Sequence, residues 1–296
     1  MSIRIGANPI GWSNDDLQTL GGETPLETCL AEASQIGFEG MELGHKFPRD
    51  PTALRPILDR HGLSLVSGWY SSELLRRSVE DEIQAVQAHL SLLGSMGCKV
   101  MVWCETSGCV HGQKDVPLSR RPRVDSGQWS ELGRRLTAVA DYLLSQGMQM
   151  AYHHHMGTVV ETVEEIDLLM QHTGESVGLL LDTGHVTFAG GDAVAVARTW
   201  GHRVEHVHCK DVRPAVLEQS QAGDWSFLDS VIAGVYTVPG DGCVDFPAVL
   251  REVKRAGYAG DWLVIEAEQD PARAHPATYA AKGFAYLKKL VEELGL

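Results

Sequence analysis

The chain has 296 residues, of which 44% are hydrophobic, and it carries a formal charge of −14. That is enough apolar material for one large α/β domain, and it excludes a disordered chain. So acidic a protein is a poor match for a phosphate backbone, which is bound by Lys and Arg, so nucleic acid is not expected as a partner.

Met1 to Ile5 shows no basic segment leading into an apolar one, so no secretory signal is expected, and no apolar run reaches membrane-spanning length. Cys29, Cys98, Cys104, Cys109, Cys209 and Cys243 are scattered without a C-x-x-C pair, which makes a reducing cytoplasm the expected compartment.

In chain order, the apolar run Ile3 to Ala7 reads as a first strand ending in Asn8-Pro-Ile-Gly-Trp12. Thr24 to Ile36 has helical spacing, with Pro25 near its start and Gly37 after its end. Gly40 to Gly44 is a second strand carrying Glu42, Pro51 to Arg60 a helix, and Leu63 to Gly68 a third strand ending at Trp69-Tyr70. Val79 to Met96 is a long amphipathic helix, followed by the strand Lys99 to Cys104, which ends at Glu105. Residues 106–126 lack periodicity and read as a long loop, a class that is usually functional in compact domains. Trp129 to Gln146 is the next helix, and Gln149 to Tyr152 is a fifth strand ending in His153-His154-His155. A helix over Val160 to His172 leads to Gly178-Leu-Leu-Leu-Asp-Thr-Gly-His-Val186. Three consecutive leucines mark a strand buried on both faces, hence a parallel sheet; Asp182 stands at its C-terminal end, and Thr183 and Gly184 are expected to make a turn that brings His185 back toward it. Asp192 to Trp200 is a helix, and Arg203 to Val207 a seventh strand ending in His208-Cys-Lys-Asp211. Residues 213–246 read as a second long loop, Phe246 to Ala256 as a helix, Trp262 to Ile265 as an eighth strand ending at Glu266-Ala-Glu268, and Ala280 to Leu294 as a closing helix.

Eight strands alternating with about eight helices predict an α/β fold, a single-domain (β/α)8 TIM barrel over residues 1–296. An open doubly wound sheet would call for a Gly-rich dinucleotide loop after the first strand, and Asn8 to Trp12 is not one.

On such a barrel the strand ends form one ring at one face. His153, Asp182, His208 and Glu266, from four successive ends, are the expected ligands of a divalent metal. Mixed imidazole and carboxylate donors suit Mn, Co, Zn or Fe better than Ca. Side chains two apart share a face, so His153 and His155 are alternatives for the ligand position, and Glu266 and Glu268 divide metal binding and proton transfer between them. His155, His185, Glu268 and Glu105 are the candidate acids and bases, with the individual roles open. Trp12 and Trp69 are candidates to line a pocket for a sugar-like ring. Lys210 is expected at the rim, holding a substrate oxygen or pairing with Asp211, and His206 is expected one step deeper as a hydrogen-bonded barrel histidine.

The strand ends Leu181-Asp-Thr-Gly-His185 and Val207-His-Cys-Lys-Asp211, with a closing Glu266, resemble those of the xylose-isomerase-like barrels. Most members carry Glu at the end of the fifth strand, where this chain has His153. That departure, with Ala7-Asn-Pro-Ile-Gly-Trp12, Tyr152-His-His-His-Met-Gly157, His206 to Asp211, Val238-Pro-Gly-Asp-Gly242 and Ile265-Glu-Ala-Glu-Gln-Asp270, is similar to the inosose dehydratases of myo-inositol catabolism. The resemblance covers essentially the whole chain. It implies dehydration of 2-keto-myo-inositol (scyllo-inosose), a small cyclic polyol ketone, to a trihydroxycyclohexane-dione. It also implies Mn or Co as the metal, with Zn admitted by the same donors, glutathione as an accessory cofactor for which no site is visible, and a homo-oligomer as a state such barrels often adopt. The alternative is a metal-dependent sugar isomerase or epimerase on the same barrel, against which His153 argues. A DNA-repair nuclease is disfavoured by the acidic charge, and a polyol-binding barrel without catalysis by the intact ring of ligand types.

Overall fold

The computed structural model describes residues 3–296. Eight parallel strands close into a barrel in the order β1-β10-β7-β6-β5-β4-β3-β2. They are β1 (Arg4–Ala7), β2 (Gly40–Leu43), β3 (Ser64–Ser72), β4 (Val100–Glu105), β5 (Gln149–His153), β6 (Val177–Asp182), β7 (Val204–Cys209) and β10 (Trp262–Ile265). A two-stranded antiparallel ribbon of β8 (Asp211–Val212) and β9 (Tyr236–Thr237) stands beside the barrel mouth.

The helices are α1 (Leu26–Ile36), α2 (Pro51–Arg60), α3 (Val79–Met96), α4 (Trp129–Ser145), α5 (Val163–His172), α6 (Thr183–Phe188), α7 (Ala193–Trp200), α8 (Pro214–Gly223), α9 (Phe227–Ala233), α10 (Phe246–Arg255) and α11 (Pro276–Leu294). Their ends follow from the sequence. Gly37 and Gly97 close α1 and α3 in the left-handed conformation that glycine adopts freely, and Thr162 with Glu165 forms a capping box on α5. β6 is buried along its whole length, as a parallel strand covered on both faces must be.

Three segments differ from the sequence expectation. Residues 213–246 are not one loop but α8, α9 and β9, packed in a small apolar cluster of Phe188, Phe227, Val231 and Tyr236. Thr183 and Gly184 open the short helix α6 rather than a turn, because Asp182 Oδ1 accepts the His185 N–H at 2.9 Å and caps it. β3 continues to Ser72, which places Trp69 within the strand. Among the described residues no helix is long and apolar enough to cross a membrane, and all six cysteines are free thiols.

Candidate metal centre and active site

The register of the barrel brings the polar strand ends to one level. Asp182 pairs with His208 across β6 and β7, and His208 pairs with Val264 across β7 and β10, two residues before Glu266. His153, Asp182, His208 and Glu266 are each 5% exposed or less.

Their free atoms converge. His153 Nε2 and His208 Nδ1 each lie 3.6 Å from Asp182 Oδ2, and His208 Nδ1 abuts Glu266 Oε2. Both imidazoles have the far nitrogen engaged. His153 Nδ1 donates to the His154 carbonyl at 2.5 Å, and His208 Nε2 donates to Glu42 at 3.1–3.2 Å. A partner on the far nitrogen turns the near one, His153 Nε2 and His208 Nδ1, toward the common point, the arrangement that carboxylate and carbonyl partners impose on metal-binding histidines. Asp182 Oδ2 is buried without a hydrogen-bond partner. Buried polar atoms are costly when orphaned, and a divalent cation satisfies this one. Charge points the same way: Asp182, Glu266 and Glu268 are buried around one permanent cation among the described residues, Lys210. The donor set therefore fits a divalent metal.

His185 also lies within ligand range of His153, Asp182 and Glu266. Its nitrogens have other partners, however: Nδ1 faces the Met156 N–H at 3.2 Å and the Tyr236 hydroxyl at 3.1 Å, and Nε2 faces Lys210 Nζ at 2.9 Å. His208 groups instead with Glu42 and His206, and its Nδ1 lies 3.6 Å from Asp182 Oδ2.

Glu42 is the hub beneath the cluster. Its carboxylate accepts from Asn8 Nδ2 at 2.7 Å, Ser67 Oγ at 2.6 Å and His206 Nε2 at 2.9 Å, besides His208. Burial alone would raise its pKa, but the His208 charge and the bonds from both histidines hold it well below the usual carboxylate range. His206 thus sits one step deeper in the barrel and hydrogen-bonded, as expected.

Lys210 is a correction. The sequence suggests a rim position, with Lys210 holding a substrate oxygen or pairing with Asp211, but Lys210 is fully buried. Nζ donates to Glu266 Oε1 at 2.8 Å and Glu268 Oε2 at 2.9 Å. The period of two that turns His206 and His208 inward carries through to Lys210, and Asp211 turns away. Asp211 accepts backbone N–H groups from Val212, Gly240, Gly242 and Val244, so it holds the Val238 to Gly242 turn. Gly184 is needed beside Lys210, because a Cβ there would lie 2.5 Å from Lys210 Cγ.

His155 and Glu268 face the same region. His155 Nδ1 donates to the Met156 carbonyl at 2.8 Å, which leaves Nε2 as the basic nitrogen. Burial lowers the pKa of His155 well below the ordinary imidazole value. Burial also raises Glu268 to about 7, against the pull of Lys210, and its Oε1 has no hydrogen-bond partner. Trp69 packs edge-on against the rings of His153 and His155 at 5.3 and 5.5 Å.

Two further candidates are not brought to the site. Glu105 has both oxygens occupied, Oε1 by the Ser107 N–H at 2.9 Å and Oε2 by the Leu74 N–H at 2.6 Å. It anchors the loops after β3 and β4. Trp12 packs in the core with its indole N–H donating to Glu32 of α1 at 2.7 Å, away from the barrel mouth.

Above the ligand cluster lies a cavity of about 170 Å³, whose lining includes Trp69, His155, His208 and Glu266. Asp15, Asp16 and His45 also line it. Sequence reasoning missed these three, along with Tyr236 and His111. Only His111 carried a signal, since it lies in the long loop over 106–126. That loop is pinned by Arg121, buried against Glu161 at 3.0 Å and Glu165 at 2.8 Å.

A family model of xylose isomerase-like TIM barrels matches residues 30–290. The chain is 50% identical over 295 residues to the rhizopine catabolism protein MocC of Rhizobium meliloti, covering 100% of this chain and 90% of that one. It is 43% identical over 289 residues to the inosose dehydratase of Geobacillus thermodenitrificans, 97% of each chain. Among solved structures it resembles the IOLI protein with a bound zinc atom, at TM-score 0.64 and 15% identity, over 99% of this chain and 98% of that one.

Proposed function

The chain belongs to the xylose isomerase-like TIM barrel family, and we propose that within it the protein is an inosose dehydratase. It removes water from scyllo-inosose to give a trihydroxycyclohexane-1,2-dione in myo-inositol catabolism. The observation that carries the reaction is the 43% identity to an inosose dehydratase over 97% of both chains.

His153, Asp182, His208 and Glu266 would hold the metal, which we assign as Mn or Co. When bound, it supplies a Lewis acid for the ketone oxygen. His155 Nε2 takes the proton α to the carbonyl, since its other nitrogen is fixed as a donor to Met156. The C–H electrons form the new double bond, and the β-hydroxyl departs with a proton from Glu268 Oε1. Lys210 orients that carboxyl through Oε2, and its near-neutral pKa suits an acid working at neutral pH. His185, between Lys210 and Tyr236, keeps this set in place. Trp69 offers a flat apolar wall to the carbocycle. The reaction is redox-neutral and consumes no thiol, so glutathione has no stoichiometric place in it. Six free thiols suit a reducing cytoplasm.

The test is a spectrophotometric assay of scyllo-inosose with chelated protein, with and without Mn or Co. A conjugated dione chromophore that appears only with metal supports the reading. Substrate consumption without the chromophore, or no reaction with any metal, contradicts it.

A further inference from the structure

The loop after β1 places two consecutive carboxylates, Asp15 and Asp16, at the cavity above the ligand cluster. Each is backed by a histidine from a different loop. His45 meets Asp15 Oδ1 with both Nδ1, at 2.6 Å, and its backbone N–H, at 3.1 Å. His111 Nε2 lies 3.5 Å from Asp16 Oδ1. Among the described residues no hydrogen bond reaches Oδ2 of either aspartate. Their orientation is set by Asn14, fully buried, whose Oδ1 accepts the Asp16 and Leu17 N–H groups at 2.8 and 2.7 Å. His111 is fixed in turn by its loop, where the Val110 N–H donates to the Gly157 carbonyl at 2.9 Å and the imidazole packs 5.2 Å from the His155 ring.

The depth of these groups matters. Glu266 and His208 are buried on the floor, whereas the side chains of Asp15 and Asp16 are 37% and 23% exposed at the mouth. A six-membered ring with its ketone on the floor turns its opposite edge, which carries hydroxyl groups, toward the mouth. Carboxylate oxygens without a hydrogen bond, Oδ2 of Asp15 and both oxygens of Asp16 among the described residues, are acceptors for such hydroxyls, and charged acceptors make the stronger hydrogen bonds.

We propose that Asp15 and Asp16 are specificity-determining residues that bind the hydroxyl groups on the ring edge remote from the carbonyl, with His45 and His111 as positioning residues behind them. The assignment rests on the cyclic polyol ketone read above as the substrate. It makes the site selective for polyhydroxylated rings over small ketones that share the same reacting centre.

The experiment compares wild type, Asp15→Asn, Asp16→Asn and His111→Gln, loaded with Mn, on scyllo-inosose and on deoxy analogues lacking one remote hydroxyl. Asp16→Asn is expected to lose about 10- to 100-fold in kcat/KM on the full substrate, the scale of a hydrogen bond to a charged group. It should lose little on the analogue lacking the partner hydroxyl. His111→Gln should raise KM on scyllo-inosose while leaving KM for that analogue nearly unchanged. Equal losses on every substrate, or none, overturn the proposal. Calorimetric titration with myo-inositol reads the same contacts without turnover. If wild type fails to dehydrate inosose yet binds myo-inositol more tightly than Asp16→Asn does, the dehydratase reading fails and the rim stands. Equal binding by the two proteins, including none by either, overturns the rim.

Discussion

Glu42→Gln probes metal binding and barrel stability at one buried position. The carboxylate receives Asn8, Ser67, His206 and His208, two of these donors being imidazoles inside the barrel. An amide has one acceptor oxygen, and its NH2 group would face donors. At least one buried donor is left unpaired, at about 1–3 kcal/mol of stability. The second effect falls on His208. Without a carboxylate on Nε2 its ring is less firmly oriented and its Nδ1 less basic. Loss of such an outer partner weakens metal binding about 10- to 100-fold, or roughly 1.4–2.8 kcal/mol. Titrating chelated protein with Mn or Co by calorimetry gives the dissociation constant, and urea unfolding of the metal-free protein gives the stability. Both quantities are expected to fall together. A variant that loses stability but binds metal as tightly as wild type would refute the role of Glu42 in orienting a ligand, and with it His208 as a ligand.

His155→Ala should lower kcat by about 10²–10⁴-fold, the usual scale for a general base, while metal content by atomic absorption stays near wild type; unchanged turnover removes His155 from the reaction. Glu268→Gln should lose turnover on the same scale, because the amide cannot give up a proton, and a fully active variant would require another acid. Gly184→Ala drives a methyl group into the Lys210 stem and should cost about 1–3 kcal/mol in chemical unfolding; a neutral substitution would mean that Lys210 has room to move. Burial tends to lower the pKa of His111, but Cys109, Asp16 and Glu268 raise it to about 9. A folded value above the unfolded one stabilises fully below about pH 6.5. That contribution is lost as pH rises through 9, so the His111→Gln unfolding free energy should fall less than wild type between those limits. Parallel curves for the two proteins would contradict this.

Much of the barrel is legible because its signals are local. The apolar run before Asp182 marks a doubly covered strand, and a polar residue after each such run marks the same face of the barrel. Inward alternation likewise makes His206 and His208 readable as a pair on one face. What lies beyond the strand ends is less visible. Lys210 continues the inward alternation, but one buried cation among three carboxylates is a tertiary fact, and the neighbouring Asp211 offers an equally plausible local partner. Glu105 and Glu42 are both carboxylates on strand ends; only the surrounding N–H, imidazole and hydroxyl donors show that the first anchors loops and the second supports His208. The helices within 213–246 are hidden because α8 buries a single residue, Ser220, and so shows almost no apolar face, while α9 is only seven residues long. Trp12 differs from Trp69 only in direction, and Asp15, Asp16 and His111 meet through three-dimensional loop packing that no spacing encodes.

The mass of the product decides the central claim most directly, because a dehydratase and an isomerase or epimerase on this barrel share α-proton abstraction and part only at loss of the hydroxyl. Metal-loaded protein incubated with scyllo-inosose and analysed by mass spectrometry should yield a product lighter than the substrate by one water. A rearranged product of unchanged mass would contradict the dehydratase account.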